Sequence, residues 1–257
     1  MENKSQFIKY NNQIIPKPLG TDYELIPGKI YTLKDDTYAD DLFLIEDKDF
    51  EFPEKYYLGE DDKHFVKKVI NTFNNTTKLT TGTLLSGMKG SGKTLMAKYI
   101  AKESKVPVIV VDPGVSASNV EGFFAKMTGK VCVIFDEIDK YWSTRYLLGF
   151  LDGVKPSCKK LVLCTCNDEK EIDEYLNDRC SRIRYKKKFK CLTKDAVYGI
   201  LKDMIANEDK ANSATEFIYN AISVISYDNI VIFGEELKNN PDESYESILA
   251  DMNIEKR

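Results

Sequence analysis

A chain of 257 residues with 42% hydrophobic side chains, 15 Tyr and 13 Phe can bury an ordinary core, as one α/β domain with a small addition or as two modest domains. Its 37 basic and 41 acidic side chains leave a net charge of −4, so no global field recruits nucleic acid. No apolar run approaches the ~20 residues needed to cross a bilayer, and no apolar stretch of the signal-peptide kind follows Met1-Glu2-Asn3-Lys4; a soluble cytoplasmic protein is expected.

Residues 1–56 read as a small β-rich extension. Residues 28–33 and 41–45 are short strand candidates around an Asp-rich turn, and Pro16, Pro18, Pro27 and Pro53 punctuate the segment. An amphipathic helix follows over 61–74, with Phe65, Val69, Ile70 and Phe73 at helical spacing. Strands are then predicted over 82–86, 106–112, 130–136, 160–167 and 182–189. Helices are predicted between them over 93–104, 119–128 and 144–151, with a short one near 172–176. That alternation gives a parallel sheet covered by helices on both faces. After Thr193 the pattern turns helical, with Thr193, Ser213 and Asp228 as candidate N-caps.

Cys132, Cys164 and Cys166 lie in apolar strand-like runs, where thiols act as small hydrophobes. Without a CxxC pair or a neighbouring histidine, zinc is not expected. His64 falls in a Lys-rich helical stretch and is expected on the surface.

Gly87-Met88-Lys89-Gly90-Ser91-Gly92-Lys93-Thr94 fits GxxxxGK[ST] in full, after an apolar strand and before a helix. Glycines let the backbone curl around phosphate oxygens, Lys93 reaches the β- and γ-phosphates, and the Thr94 hydroxyl ligates Mg²⁺. Gly87, Lys89, Gly90, Ser91, Gly92, Lys93, Thr94 and Leu95 are therefore the expected nucleotide contacts. Val131-Cys132-Val133-Ile134-Phe135-Asp136-Glu137 is an apolar strand ending in two acids at the carboxyl edge of the sheet, where α/β ligands bind. Asp136 would hold Mg²⁺ and Glu137 would polarise the attacking water. Asn167 ends the next strand and would hydrogen-bond both the γ-phosphate and that water. Asp139 is a weaker candidate for such a role, since capping or a surface salt link suits it as well.

These residues resemble the AAA+ family, and within it the AAA branch. Leu147-Leu148-Gly149-Phe150-Leu151-Asp152-Gly153-Val154 is similar to the LLxxLDGV run of that branch, and Thr165-Cys166-Asn167 to the start of its second region of homology, with Asn167 as the sensor-1 residue. Arg179-Cys180-Ser181-Arg182 has the spacing of the family's arginine pair, which acts on a neighbour's nucleotide. Tyr57-Leu58-Gly59 looks like the short element that lines the adenine pocket. The resemblance covers roughly residues 57–240. It implies a P-loop core with a five-stranded parallel sheet, a helical lid, and a homo-oligomeric ring or partial ring with ATP between subunits. The domains expected are the extension at 1–56, the nucleotide-binding domain at 57–190, and the lid and tail at 191–257.

Three departures from the AAA pattern stand out. Residues 113–118 carry no aromatic where protein-threading members place one. Arg179-Cys180 also resembles the Ser-Arg-Cys motif of clamp loaders, with Asp178 in place of serine and Arg184 matching its later arginine. Ser226-Tyr227-Asp228-Asn229 holds no sensor-2 arginine. The basic run Arg182, Arg184, Lys186, Lys187, Lys188 and Lys190 is read either as a nucleic-acid contact or as lysines guarding an edge strand, the second being favoured. The expected activity is Mg²⁺-dependent hydrolysis of ATP to ADP and phosphate that remodels a protein or protein–nucleic acid assembly. A DNA-replication accessory of the clamp- or helicase-loading kind is the alternative. A scaffold with a vestigial site is a third reading, and the intact Glu137 argues against it.

Overall fold

The computed structural model describes residues 7–10, 13–16, 23–36, 41–52, 59–152, 158–172 and 182–257. Strands β1 (Phe7–Tyr10) and β2 (Gln13–Pro16) pair antiparallel by themselves. The remaining strands are β3 (Ile30–Asp36), β4 (Asp41–Glu46), β5 (Thr80–Gly87), β6 (Val108–Val111), β7 (Lys130–Phe135), β8 (Lys159–Cys166) and β9 (Ile183–Phe189). Among the described residues they form one sheet in the order β4-β3-β6-β7-β8-β5-β9. Every pairing is parallel except β3 with β4.

The sheet therefore has seven strands rather than the five expected. The hairpin of the amino-terminal segment lies against β6, with Ile30 opposite Val108 and Leu33 opposite Val111. The physical reason lies in β6 itself. Val108, Ile109 and Val111 are buried, and a bare edge there would leave backbone polar groups unpaired beside a strand that is apolar on both faces. Tyr31 and Leu33 join one core and Ile30 the other, so β3 is built to be covered twice.

Period-two alternation divides the sheet between its two cores. Val131, Val133 and Phe135 of β7, with Val162, Cys164 and Cys166 of β8, face α3 (Ala117–Ala125) and α5 (Thr144–Asp152). Cys132, Ile134, Leu161 and Leu163 face α1 (Glu60–Asn75) and α2 (Lys93–Ser104). A turn of helix, α4 (Ile138–Tyr141), follows β7. Where a helix near 172–176 was expected, a 3₁₀ turn spans Glu169–Glu171 and residues 173–181 lie outside the described residues. His64 is exposed, and Cys180 lies outside the described residues.

The carboxyl-terminal helices α6 (Lys194–Ile205), α7 (Glu208–Ala221), α8 (Tyr227–Asn239) and α9 (Tyr245–Asp251) enclose a third core around Leu201, Ile218 and Phe233. Thr193 caps α6, accepting from the Ala196 N–H at 3.3 Å. The other two caps differ from expectation. Asn207 caps α7, so Ser213 sits inside that helix, and Ser226 rather than Asp228 caps α8. In both cases a good acceptor upstream starts the helix first.

Candidate active site

Strand β5 delivers residues 87–92 to the start of α2, as the parallel β-α connection requires. Gly90 and Gly92 have φ of 70° and 91°, in the left-handed region where a side chain would be strained. Gly92 offers no side-chain cap, so the first amides of α2 remain open to an anion. Lys93 is 6% exposed, and its ammonium donates to the Met88 carbonyl at 2.7 Å across the loop. Burial pushes its pKa down, while Cys166 and the carboxylates of Asp136, Asp139 and Glu137 act the other way. The Ser91 hydroxyl is buried and, among the described residues, has no hydrogen-bond partner. Open amides, an orphaned hydroxyl and a cation held by a single carbonyl fit a polyphosphate chain.

The carboxyl ends of β7 and β8 meet this cradle. The Thr94 hydroxyl donates to Asp136 Oδ1 at 3.1 Å, which puts together two hard oxygen ligands suited to Mg²⁺. Thr165 was not among the expected site residues, yet its hydroxyl donates to Asp136 and accepts the Glu137 backbone N–H at 2.9 Å. The signal for it was a polar residue in the otherwise apolar run 161–166. Glu137 has φ of 48°, and its carboxylate accepts from Asn167 Nδ2 at 3.1 Å and pairs with Lys140 Nζ at 2.6 Å. Lys140, then Asn167, lower its pKa, and burial opposes them. Asp139 is neither a cap nor a surface salt link. Its Oδ2 accepts the backbone N–H groups of Asn167 at 3.0 Å and Asp168 at 3.3 Å, which fixes the turn that carries Asn167. The Ser86 hydroxyl donates to Glu169 and ties that turn to the root of the cradle. Asp136, Glu137, Asn167, Lys93 and Thr94 are thus brought together at one sheet edge.

Residues 83–188 match the family model described as "ATPase family associated with various cellular activities (AAA)". Residues 83–188 thus form a domain of the AAA+ superfamily. ATP binding and the P-loop come with that membership. The match is seen in individual relatives too. The "ATP-dependent zinc metalloprotease FtsH" of Photobacterium profundum is 43% identical over 72 residues, 24% of this chain and 10% of that protein. FtsH 1 of Methylacidiphilum infernorum is 31% identical over 125 residues, 38% of this chain and 20% of that protein. The matches span only a tenth to a fifth of those two relatives. A mutant RuvB of Thermotoga maritima superposes with a TM-score of 0.56 at 15% identity, over 71% of this chain and 64% of that one. At that identity the likeness is one of fold.

In this AAA+ chain the other expected site residues are placed differently. Arg182 is buried, and its Nε and Nη2 each reach a carboxylate oxygen of Asp152 at 2.6 Å within the same chain. The fork meets the last residue of α5, which ends within the Leu-Asp-Gly-Val run. Arg179, Tyr57 and Leu58 lie outside the described residues. Gly59 caps α1, its carbonyl accepting from the Asp62 and Lys63 N–H groups at 3.0 and 3.1 Å. Lys89 is exposed on the loop, and Leu95 is half-buried in the first turn of α2. Within the basic run, Lys187 pairs with Asp62 and lies over the Phe65 ring at 5.3 Å, while Arg184, Lys186, Lys188 and Lys190 are exposed on edge strand β9 and its exit.

Arg182→Ala is expected to destabilise the fold by about 2 kcal/mol, since it removes both charge-assisted bonds from a buried guanidinium to the partly buried Asp152 carboxylate. Chemical denaturation of Arg182→Ala, Asp152→Ala and the double variant would show strong coupling between the two sites. Additive losses would mean that the pair contributes nothing.

Proposed function

We propose that this AAA+ chain hydrolyses ATP to ADP and phosphate with Mg²⁺ and uses the cycle to remodel a protein or protein–nucleic acid assembly. The observation that carries this reading is that the Glu137–Asn167 pair and the Thr94–Asp136 pair form beside one cradle, joined through Thr165. A Mg²⁺ held by Thr94 and Asp136 would neutralise charge on the β- and γ-phosphates. Lys93 would release the Met88 carbonyl and take phosphate oxygens instead. Glu137 would then accept a proton from the attacking water that Asn167 helps orient.

The site is shared between copies of the chain in this proposal, with Arg179 supplying charge to a neighbour's γ-phosphate. Arg182 is paired with Asp152 of its own chain instead. Residues 191–257 serve as the lid of the nucleotide-binding domain at 57–190, with 1–56 as an extension whose hairpin continues the sheet. The cytoplasm is the proposed setting, in keeping with free thiols at Cys132, Cys158, Cys164, Cys166 and Cys191. The peptidase activity named for the relatives is not carried over. These 257 residues hold one histidine, too few for a two-histidine zinc motif.

Phosphate release measured across a protein dilution series, with and without Mg²⁺, tests the proposal. Turnover per subunit is expected to need Mg²⁺ and to rise with protein concentration. A rate that is full at high dilution would overturn the shared site, and no turnover at any concentration would overturn the enzyme. The exposed basic face of β9 keeps the replication-accessory reading open, and single-stranded DNA added to the same assay separates the two. Stimulation would favour it.

A further inference from the structure

We propose that Asp228 determines the charge selectivity of the nucleotide site, by holding a carboxylate over the phosphate cradle that an incoming triphosphate must meet. The inference rests on the nucleotide-site reading above and gives a role to Asp228, in the run that holds no sensor-2 arginine. Its basis is the way the first turn of α8 sits on the loop. The Ser226 hydroxyl accepts the Asn229 N–H at 3.2 Å and fixes where that turn begins. The Asp228 backbone N–H then donates to the Gly90 carbonyl at 3.2 Å, so the helix end rests on the middle of the cradle.

The side chain follows the backbone. A Cβ built on Gly90 would lie 3.0 Å from Asp228 Oδ2 and 3.0 Å from Ser226 Oγ. The carboxylate is therefore in van der Waals reach of the loop, and a Cβ at Gly90 would crowd it. It keeps an exposed side, and among the described residues it has no hydrogen-bond or ion-pair partner. Burial against the loop raises its pKa, and the charge that acts against this is Lys93, the cation meant for the phosphates. An acid without a partner, within the field of that lysine, stands where negative charge is due to arrive.

Like charges in a partly dehydrated cleft repel, and the repulsion grows with the charge of the ligand. Asp228 accordingly weakens ATP more than ADP. It narrows a preference for the triphosphate that the open amides and Lys93 would otherwise create. The penalty is relieved when α8 lifts from Gly90. Helices α6 to α9 share one core, so they would follow as a body.

Calorimetric titration of the full chain with ATP and with ADP, at fixed Mg²⁺ and salt, tests this. Asp228→Asn keeps the size and the backbone bond to Gly90 while removing the charge. It is expected to bind ATP roughly tenfold more tightly, and ADP with a smaller gain. Asp228→Glu, which keeps the charge, should stay near the parent chain. Should the amide variant misfold, Asp228→Ser carries the same expectation. Unchanged affinity in a variant that folds would overturn the inference. So would weaker ATP binding with 2′-deoxy-ATP unaffected, which would assign Asp228 to the ribose. A folded parent chain that binds neither nucleotide would instead overturn the nucleotide site, and this inference with it. If the parent binds, Lys93→Ala binds more weakly, and Asp228→Asn matches the parent, only the role of Asp228 is lost.

Discussion

Lys93→Ala is expected to bind ATP roughly 10- to 100-fold more weakly than the parent chain, the loss of a charge-assisted contact at a desolvated site. The ammonium is nearly buried and bonded to the Met88 carbonyl, so it is already positioned above the loop before nucleotide arrives. Asp136, Asp139 and Glu137 all lie within its electrostatic reach. Alanine would leave those carboxylates facing the phosphates with one cation fewer, so attraction turns towards repulsion. Lys89 is exposed on the same loop and free of that burial, which makes it a poor substitute. Fluorescent-nucleotide titration reads the affinity directly, and the ATP-dependent rise in melting temperature should shrink with it. Parent-like affinity in the variant would remove the loop from nucleotide binding.

The second large effect belongs to Glu137→Gln. Turnover should fall by about 10²- to 10⁴-fold, the usual worth of a positioned general base, while ATP affinity stays close to that of the parent. Glutamine fills the same space, and its carbonyl oxygen can still accept from Asn167 or Lys140, so the framework survives. Only the capacity to take a proton is lost. Single-turnover phosphate release with bound ATP measured in parallel separates chemistry from binding. Near-normal turnover would shift the role to Asp139, whose Oδ1 is buried beside the same turn and has no partner among the described residues.

The parts of the site that local chemistry dictates were legible in the sequence. A loop that must wrap phosphate needs glycine at fixed offsets and a lysine at its exit, so residues 87–94 announced themselves. The acids after β7 were legible for a related reason, since an apolar buried strand that ends in Asp136 and Glu137 must present them at the sheet edge. What escaped depended on contacts distant in the chain. No local pattern says that β3 lies beside β6, because that pairing joins segments far apart and β3 reads equally well as part of an isolated hairpin. Arg182 has the spacing of an arginine finger, but its partner Asp152 comes from another element, and only the packed structure closes that pair. Lys140 escaped because a lysine one helical turn beyond Glu137 looks like an ordinary surface residue until the Glu137 backbone turns left-handed and brings the two together. Thr165 was quoted only as part of a motif; its two hydrogen bonds hold the geometry of both acids.

That left-handed turn at Glu137 has an evolutionary consequence. A non-glycine residue in this conformation carries a cost of roughly 1–2 kcal/mol, which the surrounding bonds to Thr165, Lys140 and Asn167 must outweigh. Selection for thermal robustness alone would therefore drift towards glycine at position 137, and each such step would trade away the residue proposed to activate water. A lineage that kept this fold but stopped turning over ATP should reveal itself there first, by a backbone relaxed at the position where a working enzyme keeps its strain.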